Sequence, residues 1–228
     1  MLEGFVYIVE SPSADDLLDD QIEGRALCSA LKLARIPHAY HLAVGLEALR
    51  KSLGERLVQT LQEPQFSGKR PMLHLSMHGN DEGVGLTDGE FLSWNDLQRE
   101  LQPLMNFMKG GLLITMSSCF GFSGCRMAMN STPDHPYWAI VGNTASVAWS
   151  DAAVGYIAFF HQFFKQTPLD RCVEIMRDAS GDPNFMSLPG EAVKASWSRT
   201  VPNLGLGGLG IGGIHNPSLP SGGLLGGL

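Results

Sequence analysis

Short runs of apolar, β-branched and aromatic residues alternate along the chain with longer stretches in which apolar residues recur every three or four positions. The short runs predict strands at Phe5–Val9, Ala39–Val44, Met72–Met77, Leu112–Met116 and Trp138–Val141. Between the first two, Ile22, Ala26, Leu27, Ala30, Leu31 and Ala34 fall on one face of a helix. Leu46–Leu61 repeats that spacing, Trp94–Met108 follows a cap at Ser93 or Asn95, and Ala152–Phe164 and Leu169–Ala179 supply two later helices. Strands alternating with helices predict an α/β fold of three layers, α/β/α, around a mostly parallel sheet.

One segment interrupts the alternation. In Val84–Leu92 an Asp88-Gly89 pair stands between apolar residues, which predicts a small β-hairpin after the third strand. Further on, Pro202–Leu228 carries 10 of the chain's 27 glycines and no Asp, Glu, Lys or Arg. Ordering so much glycine is entropically costly, so the expected division is one folded domain over residues 1–201 and a Gly/Leu-rich tail over 202–228.

Composition narrows the class. The 228 residues are enough for one core, and 44% hydrophobic against 17% charged residues departs from the signature of disorder. A net charge of −7 gives no general attraction for phosphate backbones, so no nucleic-acid partner is expected. The start lacks a basic leader and a long apolar core, so a soluble, cytoplasmic protein with no membrane association is expected. The four cysteines Cys28, Cys119, Cys125 and Cys172 do not read as a disulfide framework and contain no CxxC pair. Cys28, Cys125 and Cys172 are read as structural, with Cys125 on a helix that follows Cys119. No metal or cofactor is expected, since no P-loop, HExxH motif or GxGxxG after a strand is present.

Functional groups of open α/β sheets collect beyond the carboxyl ends of the strands. His78-Gly79 follows the third predicted strand, and Ser117-Ser118-Cys119-Phe120-Gly121 follows the fourth. Adjacent parallel strands bring His78 and Cys119 together, and these are the parts of a thiol nucleophile with its proton-transfer partner. Each residue alone reads more readily as core or as an ordinary hydrogen-bonded group; the pair after two apolar strands is the specific signal.

The segments LHLSMHG at 73–79 and LLITMSSCFG at 112–121, in that order, resemble the caspase-like cysteine peptidases, which include caspases, legumains, gingipains, separases and bacterial CHAT-type proteases. The resemblance extends over the strand–helix order from about Phe5 to Ala179, and the 41-residue spacing from His78 to Cys119 leaves room for a hairpin and one helix. Ser117-Ser118 stands where animal caspases have Gln-Ala, which brings the chain nearer to bacterial members. The resemblance implies a cysteine endopeptidase with Cys119 as nucleophile, His78 as proton donor to the leaving amine, and the backbone N–H groups of Gly79 and Cys119 as oxyanion hole. It also implies protein or peptide substrates and, by analogy alone, a bacterial defence or cell-death role.

For substrate recognition, relatives use the segment after the fifth strand. Here Asp151 is a candidate to meet a basic P1 side chain, with Trp149 and Ser150 lining the pocket. Ser150 or Asp151 reads equally well as the N-cap of the helix that follows. Asp15 and Asp16, with Asp19 and Asp20, stand after the first strand, where they either favour a cationic peptide or complement a helix N-terminus. The short Met129–Tyr137 connection predicts an enzyme that works as one chain, controlled by an activating partner, a ligand or its tail. Two other readings stay open. One is a cysteine α/β hydrolase using His135, His161 or His215 with Asp134 or Asp151, and the other is a catalytically silent binding module of the same fold.

Overall fold

The computed structural model describes residues 4–128 and 137–200, with side chains up to residue 196. In chain order the elements are β1 (Gly4–Ser11), α1 (Ala14–Leu18), α2 (Glu23–Leu33), β2 (His38–Leu42), α3 (Leu46–Lys51), a π-helical turn (Ser52–Arg56) and α4 (Leu57–Gln62). Next come β3 (Arg70–Met77), the hairpin strands β4 (Gly83–Gly85) and β5 (Phe91–Ser93), α5 (Trp94–Met108), β6 (Leu113–Ser117) and a 3-10 helix (Gly121–Ala128). The chain closes with β7 (Ala139–Asn143), α6 (Trp149–Phe163), α7 (Leu169–Ser180), β8 (Phe185–Pro189) and α8 (Gly190–Thr200).

Six strands form one sheet in the order β2-β1-β3-β6-β7-β8, parallel throughout except for β8, which pairs antiparallel with β7. Alternate residues of β1 serve opposite cores, as the two-residue period of a strand requires. Phe5, Tyr7 and Val9 pack with Leu49, Leu97 and Leu101 on one face, while Val6 and Ile8 pack with Leu27, Phe159 and Met176 on the other. Helices on both faces make this a three-layer α/β/α protein, and β4–β5 is the hairpin expected around Asp88-Gly89.

Several elements depart from the sequence pattern. The helix expected over 46–61 is interrupted by a π-helical turn, whose Ser52 carbonyl accepts a hydrogen bond from the buried Tyr7 hydroxyl at 2.5 Å. Cys125 lies on a helix after Cys119 as expected, and that helix, Gly121–Ala128, is of the 3-10 kind. The N-cap of α6 is Ala148, which has no side-chain cap bond; Ser150 and Asp151 therefore sit inside the first turn, and the capping reading is corrected. Ser93 does cap α5, in a reciprocal capping box with Asp96. β8, α1 and α8 have no counterpart in the sequence pattern. The tail over 202–228 and residues 129–136 lie outside the described residues.

Candidate active site

The register of the two central strands brings the sequence candidates together. Ser76 of β3 pairs with Ser117 of β6, so His78 and Cys119 each stand two residues past a matched pair on neighbouring parallel strands. The loops beyond are in contact: a methyl group placed on Gly79 would lie 3.0 Å from the Cys119 carbonyl oxygen and 3.2 Å from Ser118 Cβ. A side chain here presses on the Cys119 backbone, which must give by a few tenths of an ångström to admit it.

Each loop is held from behind. The Asn80 side-chain oxygen accepts from the backbone N–H groups of Glu82 and Gly83, and the Asp81 carbonyl accepts from Trp94 Nε1 and from the Arg126 guanidinium. Gly79 faces Val84 in an antiparallel bridge whose hydrogen bonds flank it, from Gly85 N–H to the His78 carbonyl and from Asn80 N–H to the Gly83 carbonyl. The N–H groups of Gly79 and Cys119 donate to no group among the described residues. After Cys119 the chain turns sharply, with Phe120 at a φ of 55°, a left-handed conformation costing a non-glycine residue about 1–2 kcal/mol. The turn is fastened by Phe120 N–H donating to the Ala145 carbonyl at 2.8 Å.

His78 is half exposed, and its Nε2 lies 2.5 Å from Oδ2 of Asp16, whose side chain is only 12% exposed. Asp16 also caps α1 with Ser13 and accepts from the Trp149 indole N–H through Oδ1 at 3.2 Å. The Trp149 ring meets the imidazole edge-on, with centroids 5.2 Å apart. Burial works against ionisation of Asp16, but hydrogen bonds from Ser13 and His78 outweigh it and hold its carboxyl below the ordinary value. Three loops, after β1, β3 and β7, thus meet at one imidazole. This assigns Asp16 and Trp149 to His78, where the sequence offered them to substrate.

The thiol and the imidazole are not hydrogen-bonded to each other. Cys119 Sγ accepts from the Val147 N–H at 3.4 Å and donates to the Val147 carbonyl at 3.7 Å. The segment carrying Val147 is anchored by Asn143, which accepts from Ala145 N–H and donates to Asp182 at 2.6 Å. Ser150 is exposed and its hydroxyl donates to Asp151 at 3.4 Å; Asp151 is partly buried in the first turn of α6, and Asp15 is exposed on α1.

The other thiols sit in different surroundings. Burial pushes Cys172 up to about 11 and, with help from Glu10 and Glu23, Cys28 to about 11; burial also raises Cys125. Among the histidines offered by the hydrolase reading, His161 lies in the last turns of α6, a helix that starts at the Cys119 edge and runs about 18 Å away from it. His135 and His215 lie outside the described residues, as does Asp134.

Beneath the site, on the α2 and α6 side, lies a buried polar group. Glu10 of β1 accepts from Gly24 N–H at 2.7 Å and from Ser76 Oγ at 3.3 Å. His74 bridges Thr115 at 2.8 Å and Glu23 at 3.3 Å. One oxygen each of Glu10 and Glu23 has no hydrogen-bond partner, and burial raises the Glu10 pKa, with Glu23 adding to it against hydrogen bonds from Gly24 and Ser76. No group of three or more His, Cys, Asp or Glu side chains among the described residues is placed to hold a metal ion. None of the helices among the described residues is long and apolar enough to cross a membrane. Compared with known proteins, the sequence matches no family model and no curated protein.

Proposed function

We propose that the protein is a cysteine endopeptidase of the caspase-like kind. The observation that carries this reading is the equal placement of His78 and Cys119, two residues past the paired Ser76 and Ser117 on adjacent parallel strands. The resemblance of the 73–79 and 112–121 segments to that family supports it.

In this reading a peptide carbonyl enters between thiol and imidazole. Cys119 Sγ, as thiolate, attacks the carbonyl carbon, and the negative charge that develops on oxygen meets the uncommitted N–H groups of Gly79 and Cys119. The C–N bond breaks as His78 transfers a proton to the leaving amine, giving a thioester on Cys119. Water then attacks the thioester while His78 takes its proton; the S–C bond breaks, the carboxylic acid leaves, and the Cys119 thiolate and protonated His78 are restored. Asp16 occupies Nε2 of His78, so Nδ1 is the nitrogen that exchanges protons. Asp16 acts through His78 and is a positioning residue.

Asp151, Ser150 and Asp15 stay assigned to substrate recognition, with a basic P1 side chain as the preferred class. The proposal includes a cytoplasmic setting, which keeps free thiols reduced; all four cysteines are unpaired. An arginyl peptide chloromethyl ketone tests the assignment: Cys119 Sγ displaces chloride and forms an S–C bond, located by mass spectrometry of the digested protein. Stoichiometric labelling at Cys119, lost in His78→Ala, is the expected result; equal labelling at Cys28, Cys125 and Cys172 would argue against it.

A specific observation favours the second reading, a silent binding module. The thiol is held by Val147 and not by His78. That reading predicts no alkylation above that of an ordinary exposed thiol.

A further inference from the structure

The edge of the sheet opposite Cys119 and His78 carries a cavity of about 800 Å³. Its walls are Pro37, Met72, Leu113, Trp138, Phe163 and Phe164, with Arg70 and Gln166 supplying polar groups. Volumes of this order hold one small ligand. Trp138 is 45% exposed yet lies against Phe163, with ring centroids 6.2 Å apart, and Phe163 stacks in turn on Phe159. An aromatic wall of this kind, open to solvent, is not explained by packing of the core.

Charge distinguishes this edge from the other. Among the described residues, the loops here carry Arg35, Lys69, Arg70, Lys109 and Lys165 against Glu63, with Asp170 and Glu191 in the first turns of α7 and α8. The opposite edge carries Asp15 and Asp16 on α1 and, in its loops, Asp19, Asp20, Asp81, Glu82, Asp88 and Glu90. Among the described residues, cations therefore outnumber carboxylates at the cavity edge, although the whole chain carries a net charge of −7. Arg70 marks the position most closely. Its guanidinium passes over Gly111, where an added methyl would lie 3.0 Å from it, and it has no carboxylate partner among the described residues.

We propose that this cavity binds a monomeric amphiphilic anion, a carboxylate on a medium-length aliphatic chain, with the chain against Leu113, Trp138 and Phe163 and the carboxylate on Arg70. Guanidinium and carboxylate match as a two-pronged hydrogen-bonded pair, and a cavity of this volume suits one ligand better than a lipid surface. The site is separate from the proposed active site by the length of β3, eight residues or about 26 Å.

The test is calorimetric titration of the full chain with decanoate below its micelle-forming concentration, beside Arg70→Gln, Trp138→Ala and the uncharged analogue decanol. Arg70 and Trp138 are both solvent-exposed, so the variants keep the core intact. Saturable binding at one site, weakened at least about tenfold by Arg70→Gln, weakened by Trp138→Ala, and stronger for decanoate than for decanol, is the expected result. Absence of saturable binding, equal affinity in Arg70→Gln, or binding to anionic lipid vesicles without binding to decanoate would each overturn the proposal.

Discussion

The carboxylate of Asp16 stands 2.5 Å from Nε2 of His78, although 62 residues separate them in the chain. The contact leaves one imidazole nitrogen for chemistry and fixes the ring in place, with Trp149 bonded to the other carboxylate oxygen. Asp16→Asn keeps an oxygen able to complete the cap with Ser13, so the helix start survives while the charge on His78 is lost. We expect kcat for peptide cleavage to fall about 10- to 100-fold with KM little changed. The parent contact should persist into acid, because Asp16 is held below its ordinary value and its stabilising effect is lost only as pH falls through that lowered value. An equal fall in Tm and in kcat would instead assign Asp16 a purely structural role.

Gly79→Ala tests the close approach of the two loops. The added methyl meets the Cys119 carbonyl oxygen at 3.0 Å and the Gly83 carbonyl oxygen at 3.1 Å, both backbone atoms that cannot rotate away. The Cys119 backbone must shift, and with it the proposed oxyanion site. Turnover should drop about 100-fold or more while stability falls by only about 1–3 kcal/mol, read by steady-state kinetics and thermal melting.

Much of this arrangement is legible in the sequence, and the gaps have physical causes. The central strands β1, β3, β6 and β7 are readable because strands buried on both faces are largely apolar runs, and His78 and Cys119 follow from where the runs of β3 and β6 end. β8 is not readable: Phe185–Pro189 is a short edge strand with partly exposed residues, and it runs antiparallel. The start of α6 at Trp149 is not readable, because its N-cap, Ala148, carries no capping side chain. The Asp16–His78 contact is a tertiary pairing between two loops, for which local spacing holds no signal. Val147 meets the thiol through its backbone, which any side chain would allow.

Glu10 gives a prediction about stability and pH. Its folded pKa is raised by burial, so its contribution is fully present below the ordinary Glu value of about 4.3 and is lost as pH rises through the raised value. Glu10→Gln retains an acceptor for Gly24 N–H and removes the charge. Tm measured from roughly pH 4 to pH 8 should show the variant gaining on the parent as pH rises, with the advantage vanishing at the acid end. A variant less stable than the parent at neutral pH would show that the Glu10 charge is compensated by the hydrogen bonds it accepts from Gly24 and Ser76.

The central claim is that Cys119 and His78 together cleave peptide bonds. Its most direct test is digestion of a diverse peptide library, mapped by mass spectrometry, with the parent, Cys119→Ala and His78→Ala side by side. The account predicts discrete cleavage by the parent, enriched after Arg or Lys, and none by either variant. Cleavage by Cys119→Ala at the parent's rate, or a parent that leaves the library intact, would contradict it.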